Sequence, residues 1–322
     1  MGGKLVLAIQ SKGRLAEQTH DYLKSCGIPI SGGSGREYVG HMPAVPDVEI
    51  AFLQSGEIPT YLESGAVHLG ITGEDLMREK TLDLETCMML LKPLGFGKAD
   101  LVVAVPRSWI DVHSMADLDE VSTAFHRRHG RRLRVATKYL TLTRDFFAQH
   151  GVADYRIVES LGATEGAPNS GAAEAIVDIT STGTTLVANN LKILNDGVIL
   201  RSQACLAASR NAVWDDAAKT ALRRILDMIE GSARADAERL VHFVTPSDEA
   251  AMAGAMAALQ GKFGCQVALS GRQGSLQCGA DKLYPVVSAL HAAGCSQVSA
   301  AQADYIFAPE NALYERFIAA LG

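Results

Sequence analysis

Short apolar runs of four to six residues recur through the first two hundred residues of this chain. Each is followed by a turn and then by apolar residues at helical spacing. Residues 5–10 form the first run. Ser11-Lys12-Gly13-Arg14 follows, and Leu15, Thr19, Tyr22 and Leu23 then fall one to four residues apart. The pattern returns at 48–53 with 58–64, around 68–71 with 76–79, and at 133–137 with 142–150. It returns again at 176–179, with a helix starting near 186. Further strands are expected at 87–91, 101–105, 155–159, 193–200 and 204–208, with helices at 115–125 and 171–175. A short run without alternation reads as a strand buried on both faces. Strands separated by helices pair into a mostly parallel sheet with helices over both sides. The fold class is therefore α/β.

At roughly 150 residues per domain, 322 residues imply two or three domains. A long amphipathic helix is expected over 215–229. Beyond it the order strand, helix, strand, strand, helix, strand (240–244, 248–259, 267–269, 275–278, 283–293, and 296–300 or 305–307) is the ferredoxin-like βαββαβ pattern. Hydrophobic residues at 48% and charged residues at 20% exclude wholesale disorder. Thirty cationic against 36 anionic side chains give a formal charge of −6, a poor basis for general nucleic-acid binding. Cys26, Cys87, Cys205, Cys265, Cys278 and Cys295 form no C-x-x-C pair, and no apolar run reaches the roughly 18 residues of a membrane span. A reduced, cytoplasmic chain is expected, without membrane or nucleic-acid partners.

Residues 175–186 carry the strongest chemical signal. An apolar strand runs into Asp178, and Thr180, Ser181, Thr182, Gly183, Thr184 and Thr185 fill the turn before the next helix. Small residues let backbone N–H groups approach a ligand, and a helix N-terminus favours an anion. The stretch reads as a phosphate cradle with a carboxylate beside it for a sugar diol. It is not a Walker A loop, because no Gly-Lys-Ser/Thr follows.

This stretch resembles the phosphoribosyl pyrophosphate loop of the ATP phosphoribosyltransferase family, which reads D-I-V-S-T-G-x-T-L and then A-N. Here Asp178 to Leu186 and Ala188-Asn189 match it. Further ordered matches are Ser11-Lys12-Gly13-Arg14, Ile58-Pro59, Gly70-Ile71-Thr72-Gly73-Glu74-Asp75 and Leu94-Gly95-Phe96-Gly97. Ala136-Thr137-Lys138-Tyr139, Glu165-Gly166-Ala167-Pro168, Gly171 and Ala173-Glu174-Ala175 complete the set, which spans roughly residues 4–195. The resemblance implies two lobes like those of a periplasmic binding protein around a cleft. Residues 1–104, with a return segment at 192–215, would form the first lobe, and 105–191 the second. Residues 222–322 would form a C-terminal regulatory domain.

The resemblance also implies a reaction. N1 of ATP attacks the anomeric carbon of phosphoribosyl pyrophosphate, giving phosphoribosyl-ATP and pyrophosphate, the first step of histidine biosynthesis. Asp178 would hold the ribose hydroxyls, Ser181 to Thr185 the 5′-phosphate, with Thr180 also binding phosphoribosyl pyrophosphate, and Glu165 would face the pentose. Lys12, Gly13, Arg14, Gly73, Asp75, Lys138 and Tyr139 would meet ATP or pyrophosphate. Asp75 is expected at a helix N-cap, while Tyr139 suits either an adenine stack or the core. Lys98 could face a phosphate or be an ordinary loop lysine. Mg²⁺ would arrive with the phosphates, no protein metal cage being expected. L-Histidine would inhibit, and the chain would form a homo-oligomer, a hexamer by resemblance.

One segment departs from the family pattern R-x-R-D-I-P. Gln54-Ser55-Gly56-Glu57 precedes Ile58-Pro59, so two cations are missing, and Arg14 or Arg36 would have to supply the charge. The basic run from Arg127 to Arg134 suits a solvated turn, an anion site, a subunit contact or a nucleic-acid patch. Two other readings compete: a non-enzymatic small-molecule sensor on the same fold, and a phosphoribosyltransferase for another base.

Overall fold

The computed structural model describes residues 3–32, 39–160, 162–246 and 249–322. By sequence Gly32-Gly33-Ser34-Gly35 reads as a turn or flexible loop; Gly33, Ser34 and Gly35, with the candidate cation Arg36, lie outside the described residues.

The chain begins with β1 (Leu5–Gln10), α1 (Arg14–Ser25), β2 (Ser31–Gly32), β3 (Val39–His41), β4 (Val48–Leu53), α2 (Ile58–Glu63), β5 (Leu69–Gly73), α3 (Glu74–Lys80), α4 (Leu84–Cys87) and β6 (Met88–Pro93). It continues with β7 (Ala99–Pro106), α5 (Met115–His129), β8 (Leu133–Thr137), α6 (Leu140–Gln149), β9 (Tyr155–Glu159), β10 (Ala175–Thr180), α7 (Thr184–Ala188) and β11 (Leu191–Ser202). Then follow β12 (Ala204–Ser209), α8 (Asp216–Ala237), β13 (Glu238–Val244), α9 (Glu249–Phe263), β14 (Gln266–Ser270), β15 (Gln273–Gly279), α10 (Leu283–Ala292), β16 (Ser296–Ala301) and α11 (Ala312–Leu321).

Among the described residues these strands build three sheets, in the orders β2-β3-β4-β1-β5-β12-β6, β11-β7-β10-β8-β9 and β14-β15-β13-β16. In the first, β1 pairs in parallel with β4 and β5, whereas β12 runs antiparallel between β5 and β6. In the second, β8 pairs in parallel with β9 and β10, and β7 runs antiparallel to β10 and β11. The third is antiparallel throughout, with βαββαβ connectivity as expected. Apolar clusters cover both faces of the first two sheets, so β1 and β5 are buried nearly end to end, and β10 is buried over its first half, Ala175 to Val177.

The lobes are joined at points other than those expected. The strand at 99–106 pairs with β10 and β11 in the second sheet, so the chain crosses between Pro93 and Ala99 rather than near 105. β11 also stays in the second sheet, and the return falls at Gln203 rather than near 192. The two crossings are bonded side by side. Leu94 N donates to Ala204 O (2.9 Å) and Ala204 N donates to Phe96 O (3.0 Å).

The end of the chain also returns to the first lobe. Ala218, Leu222, Ile225 and Ile229 on one stripe of α8, and Phe317 of α11, are buried in the core of the first sheet. Residues 216–229 and 312–321 are thus packed there rather than with the third sheet. An amphipathic helix goes wherever its apolar stripe finds cover, which the stripe itself does not specify. The helix expected over 171–175 is absent. Gly171 takes φ +71° and ends a series of turns, and β10 starts at Ala175. No helix among the described residues is long and apolar enough to cross a membrane.

Candidate functional site

The carboxyl ends of strands from both sheets converge on one cleft of about 1130 Å³, where ligands of open α/β sheets bind. The first lobe contributes the end of β1 and its turn (Gln10 to Leu15), Gln54-Ser55-Gly56 after β4, and Gly73, Asp75 and Leu76 around the start of α3. The second contributes Lys138 and Tyr139 after β8, and Ile179, Thr180 and Ser181 at the end of β10. Gly97, Lys98 and Ala99 enter from the crossing.

Charge in the cleft is opposite to that of the whole chain. Lys12, Arg14, Lys98 and Lys138 all line it and all are exposed. None of the four makes a salt bridge among the described residues. The carboxylate on the wall, Asp75, is buried and occupied. Its Oδ2 accepts from the Tyr139 hydroxyl at 2.6 Å and its Oδ1 from Ser202 Oγ at 2.7 Å. Four cations without a salt bridge and one satisfied carboxylate make a site for a polyanion.

Asp75 differs from the expectation in one respect. Gly73 occupies the N-cap of α3, and Asp75 lies inside the first turn. Its side chain turns toward the other lobe instead of capping its own helix. Tyr139 belongs to the core of the second lobe and is 1% exposed, with Lys138 Nζ 5.1 Å from its ring centroid. No ring face is open for an adenine to stack on. Burial and the Asp75 carboxylate push the Tyr139 hydroxyl far above its usual range, so it remains a donor.

Thr180 and Ser181 reach the cleft, whereas Asp178, Thr182, Gly183, Thr184, Thr185 and Glu165 are not among its lining residues. The turn itself has the expected form. Gly183 takes φ +73°, its N–H donates to Thr180 Oγ1 at 2.9 Å, and the Thr182 and Thr184 hydroxyls are bonded at 2.8 Å. Ser181, Thr182, Thr184 and Thr185 are exposed. Half-buried Asp178 accepts from Ile179 N at 2.8 Å. Burial raises its carboxyl above the ordinary value. The Ile179 N–H and Lys138 oppose that rise, and Glu165 adds to it. Glu165 occupies a single 3₁₀ turn, entered through Ala163 at φ +51° in the left-handed region that non-glycine residues rarely adopt.

Gln54, Ser55 and Gly56 of the departing segment do reach the cleft, but bring no cation. Glu57 folds back, its Oε2 accepting from Gln54 N at 2.9 Å. Lys98, left open by sequence, lies in the cleft with Arg14. Gln10 and Gln18 also line it, and sequence reasoning passed over them. Gln10 ends a strand at its carboxyl end, which was the available signal.

Residues 54–231 match the family model described as HisG: ATP phosphoribosyltransferase. The chain belongs to the ATP phosphoribosyltransferase family. It is 49% identical to an ATP phosphoribosyltransferase of Bradyrhizobium sp. (strain ORS 278), covering 100% of this chain and 99% of that protein. Identity to an ATP phosphoribosyltransferase of Caulobacter vibrioides is likewise 49%, with the same coverage. Among solved structures, the ATP phosphoribosyl transferase (HisG:HisZ) complex from Thermotoga maritima aligns with TM-score 0.54 and 26% identity. The alignment covers 70% of this chain and 98% of that one. The two-lobed α/β fold with a cleft and a smaller C-terminal sheet agrees with the architecture expected from the sequence.

The basic run of the second lobe has mainly a structural explanation. Arg131 and Arg134 both hold Glu174, at 3.0 and 2.7 Å, and Arg134 N donates to the same carboxylate at 2.8 Å. His126 and Arg132 face Asp154. Burial alone would raise the Glu174 carboxyl, but these arginine bonds outweigh it and bring it down to about 2.

Proposed function

We propose that the chain transfers the phosphoribosyl group of phosphoribosyl pyrophosphate to N1 of ATP, releasing pyrophosphate, as the first step of L-histidine biosynthesis. The observation that carries this reading is that four cations without a salt bridge among the described residues line one cleft with Thr180 and Ser181 of the turn that follows Asp178. Two polyanionic substrates have to be brought together, so positioning supplies much of the rate. The exposed turn from Thr180 to Thr185 receives the 5′-phosphate, and Asp178 the ribose hydroxyls. As the anomeric bond breaks, positive charge on the sugar faces Glu165 and Asp178. Negative charge on the pyrophosphate faces Lys12, Arg14, Lys98 and Lys138.

The residues fit Mg²⁺ carried by substrate more closely than a resident ion. Among the described residues no group of three or more metal-ligating side chains is assembled. Bound to the phosphates, Mg²⁺ neutralises charge on the leaving group. The third sheet domain is proposed as the regulatory unit that senses L-histidine, in a cytoplasmic homo-oligomer. Titrating L-histidine into the assay to millimolar levels should lower the rate, and light scattering should report more than one copy.

The test is an absorbance assay with ATP, phosphoribosyl pyrophosphate and Mg²⁺. Formation of phosphoribosyl-ATP is expected. Binding of either substrate without product would favour a sensor, and product only with another base would redirect the assignment.

A further inference from the structure

Three residues of α3 leave the first lobe and engage the second. Asp75 holds the Tyr139 hydroxyl at 2.6 Å. Leu76 packs against the apolar core of the second sheet. Glu79 is 8% exposed, and its two carboxylate oxygens each accept a backbone N–H of α6, from Thr141 and Leu142, both at 3.0 Å. The α6 helix has no side-chain cap of its own, its N-cap being Tyr139. A helix start has unpaired N–H groups and a partial positive charge, so a carboxylate there is both acceptor and counter-charge. That carboxylate comes from the opposite lobe.

We propose that Glu79 is a positioning residue. By capping a helix of the second lobe from the first, it sets the opening of the cleft and holds Lys138 opposite the turn from Ser11 to Arg14. Asp75 and Glu79 lie four residues apart, on one face of α3, so their two contacts act on one short stretch, Tyr139 to Leu142. Lys138 adjoins that stretch and lines the cleft. The crossings at 94–98 and 203 act as a pivot on one side, and the capped helix fixes the angle about it. A lone buried carboxylate would be expelled or neutralised. Glu79 is retained because both its oxygens are satisfied across the lobe boundary. The link to catalysis rests on the reaction proposed above, whereas the link to lobe geometry does not.

The test uses the full chain with Glu79→Ala and Glu79→Gln. Spin labels go on Leu82→Cys in the first lobe and Ile110→Cys in the second, which are 91% and 75% exposed. Half-buried Cys87 is replaced by serine, the other native cysteines being buried. Glu79→Ala should speed hydrogen exchange at the Thr141 and Leu142 amides and broaden the inter-lobe distance. It should raise KM for ATP about tenfold with kcat changed less, since misplacing binding groups by about an ångström weakens their contacts. Glu79→Gln, keeping one acceptor, should give intermediate shifts. A folded Glu79→Ala with unchanged inter-lobe distances, or a loss confined to kcat, overturns the proposal. If Glu79→Ala does not fold, Glu79→Gln decides, and an unchanged distance in that variant overturns it. Distance and exchange are read without turnover. An inactive parent would therefore reject the proposed reaction and leave the geometric role to be judged separately.

Discussion

The Tyr139 hydroxyl donates to Asp75 Oδ2 across the boundary between the lobes, at 2.6 Å, while Ser202 Oγ takes the other oxygen of the same carboxylate at 2.7 Å. A buried charge with two donors is satisfied, and removing one donor leaves it short. Tyr139→Phe keeps the ring, its packing and its volume. It should lower stability by about 1–3 kcal/mol, read by urea unfolding. Ser202→Ala should act in the same direction. The double variant should lose more than the two single changes combined, because the two donors serve one carboxylate.

The charges around Asp178 give a test with two opposite signs. Burial raises its carboxyl, Glu165 raises it further, and Lys138 lowers it. If ionised Asp178 holds the ribose, activity is lost as pH falls through this raised value. Glu165→Gln removes a negative neighbour, so the acid limb of kcat/KM should move to lower pH. Lys138→Met removes a positive one, so the limb should move to higher pH. Asp178→Asn should abolish the limb and reduce turnover by about a hundredfold. Profiles measured for the three variants check all three outcomes.

How much of this was readable in the sequence depended on whether the signal was local. The strand and turn from Ala175 to Thr185 were legible because an apolar run, an acid and a glycine at positive φ are properties of neighbours in the chain. The strand at 191–202 was legible as a strand, but its sheet was not. Alternation records burial and says nothing about which strand lies alongside. Asp75 followed Gly73 as an N-cap would, yet its partners are 64 and 127 residues away. The basic run was visible and Glu174 was visible. Their meeting depends on β8 and β10 pairing in parallel, which neither segment states. Lys98 stayed open because a loop lysine carries no periodicity, and only the crossing of the chain brings it into the cleft.

Glu174 makes stability depend on acid pH. Its carboxyl lies at about 2 in the folded chain, below the ordinary 4.5, because Arg134 and Arg131 hydrogen-bond the ionised form strongly enough to outweigh burial. A group depressed on folding stabilises above its unfolded value, and that stability is lost as pH falls toward the folded one. The contribution is therefore full above about pH 4.5 and fades toward pH 2. Glu174→Gln should be less stable than the parent at pH 7, with the gap narrowing steadily below pH 4.5. Urea unfolding of both proteins across that range checks it. A gap independent of pH would assign the loss to packing instead.

Phe317 tests where the end of the chain belongs. It is fully buried in the first-lobe core and meets Trp214 edge-on, with ring centroids 4.9 Å apart. Arg316 of the same helix donates to Leu91 O in β6 at 3.1 Å, and Asn311 caps the helix by accepting from Leu313 and Tyr314 N. The helix thus closes over the first sheet after the chain has passed through the third. Phe317→Ala should cost about 3–5 kcal/mol, the usual penalty for emptying a buried aromatic site. Because Trp214 loses one of its two ring partners among the described residues, His68 being the other, its fluorescence should shift toward the emission of a wetted indole. Exchange should quicken at the amides of α11 and spare those of β13 and β15, which belong to another core. Equal quickening in both would place α11 in one cooperative unit with the third sheet.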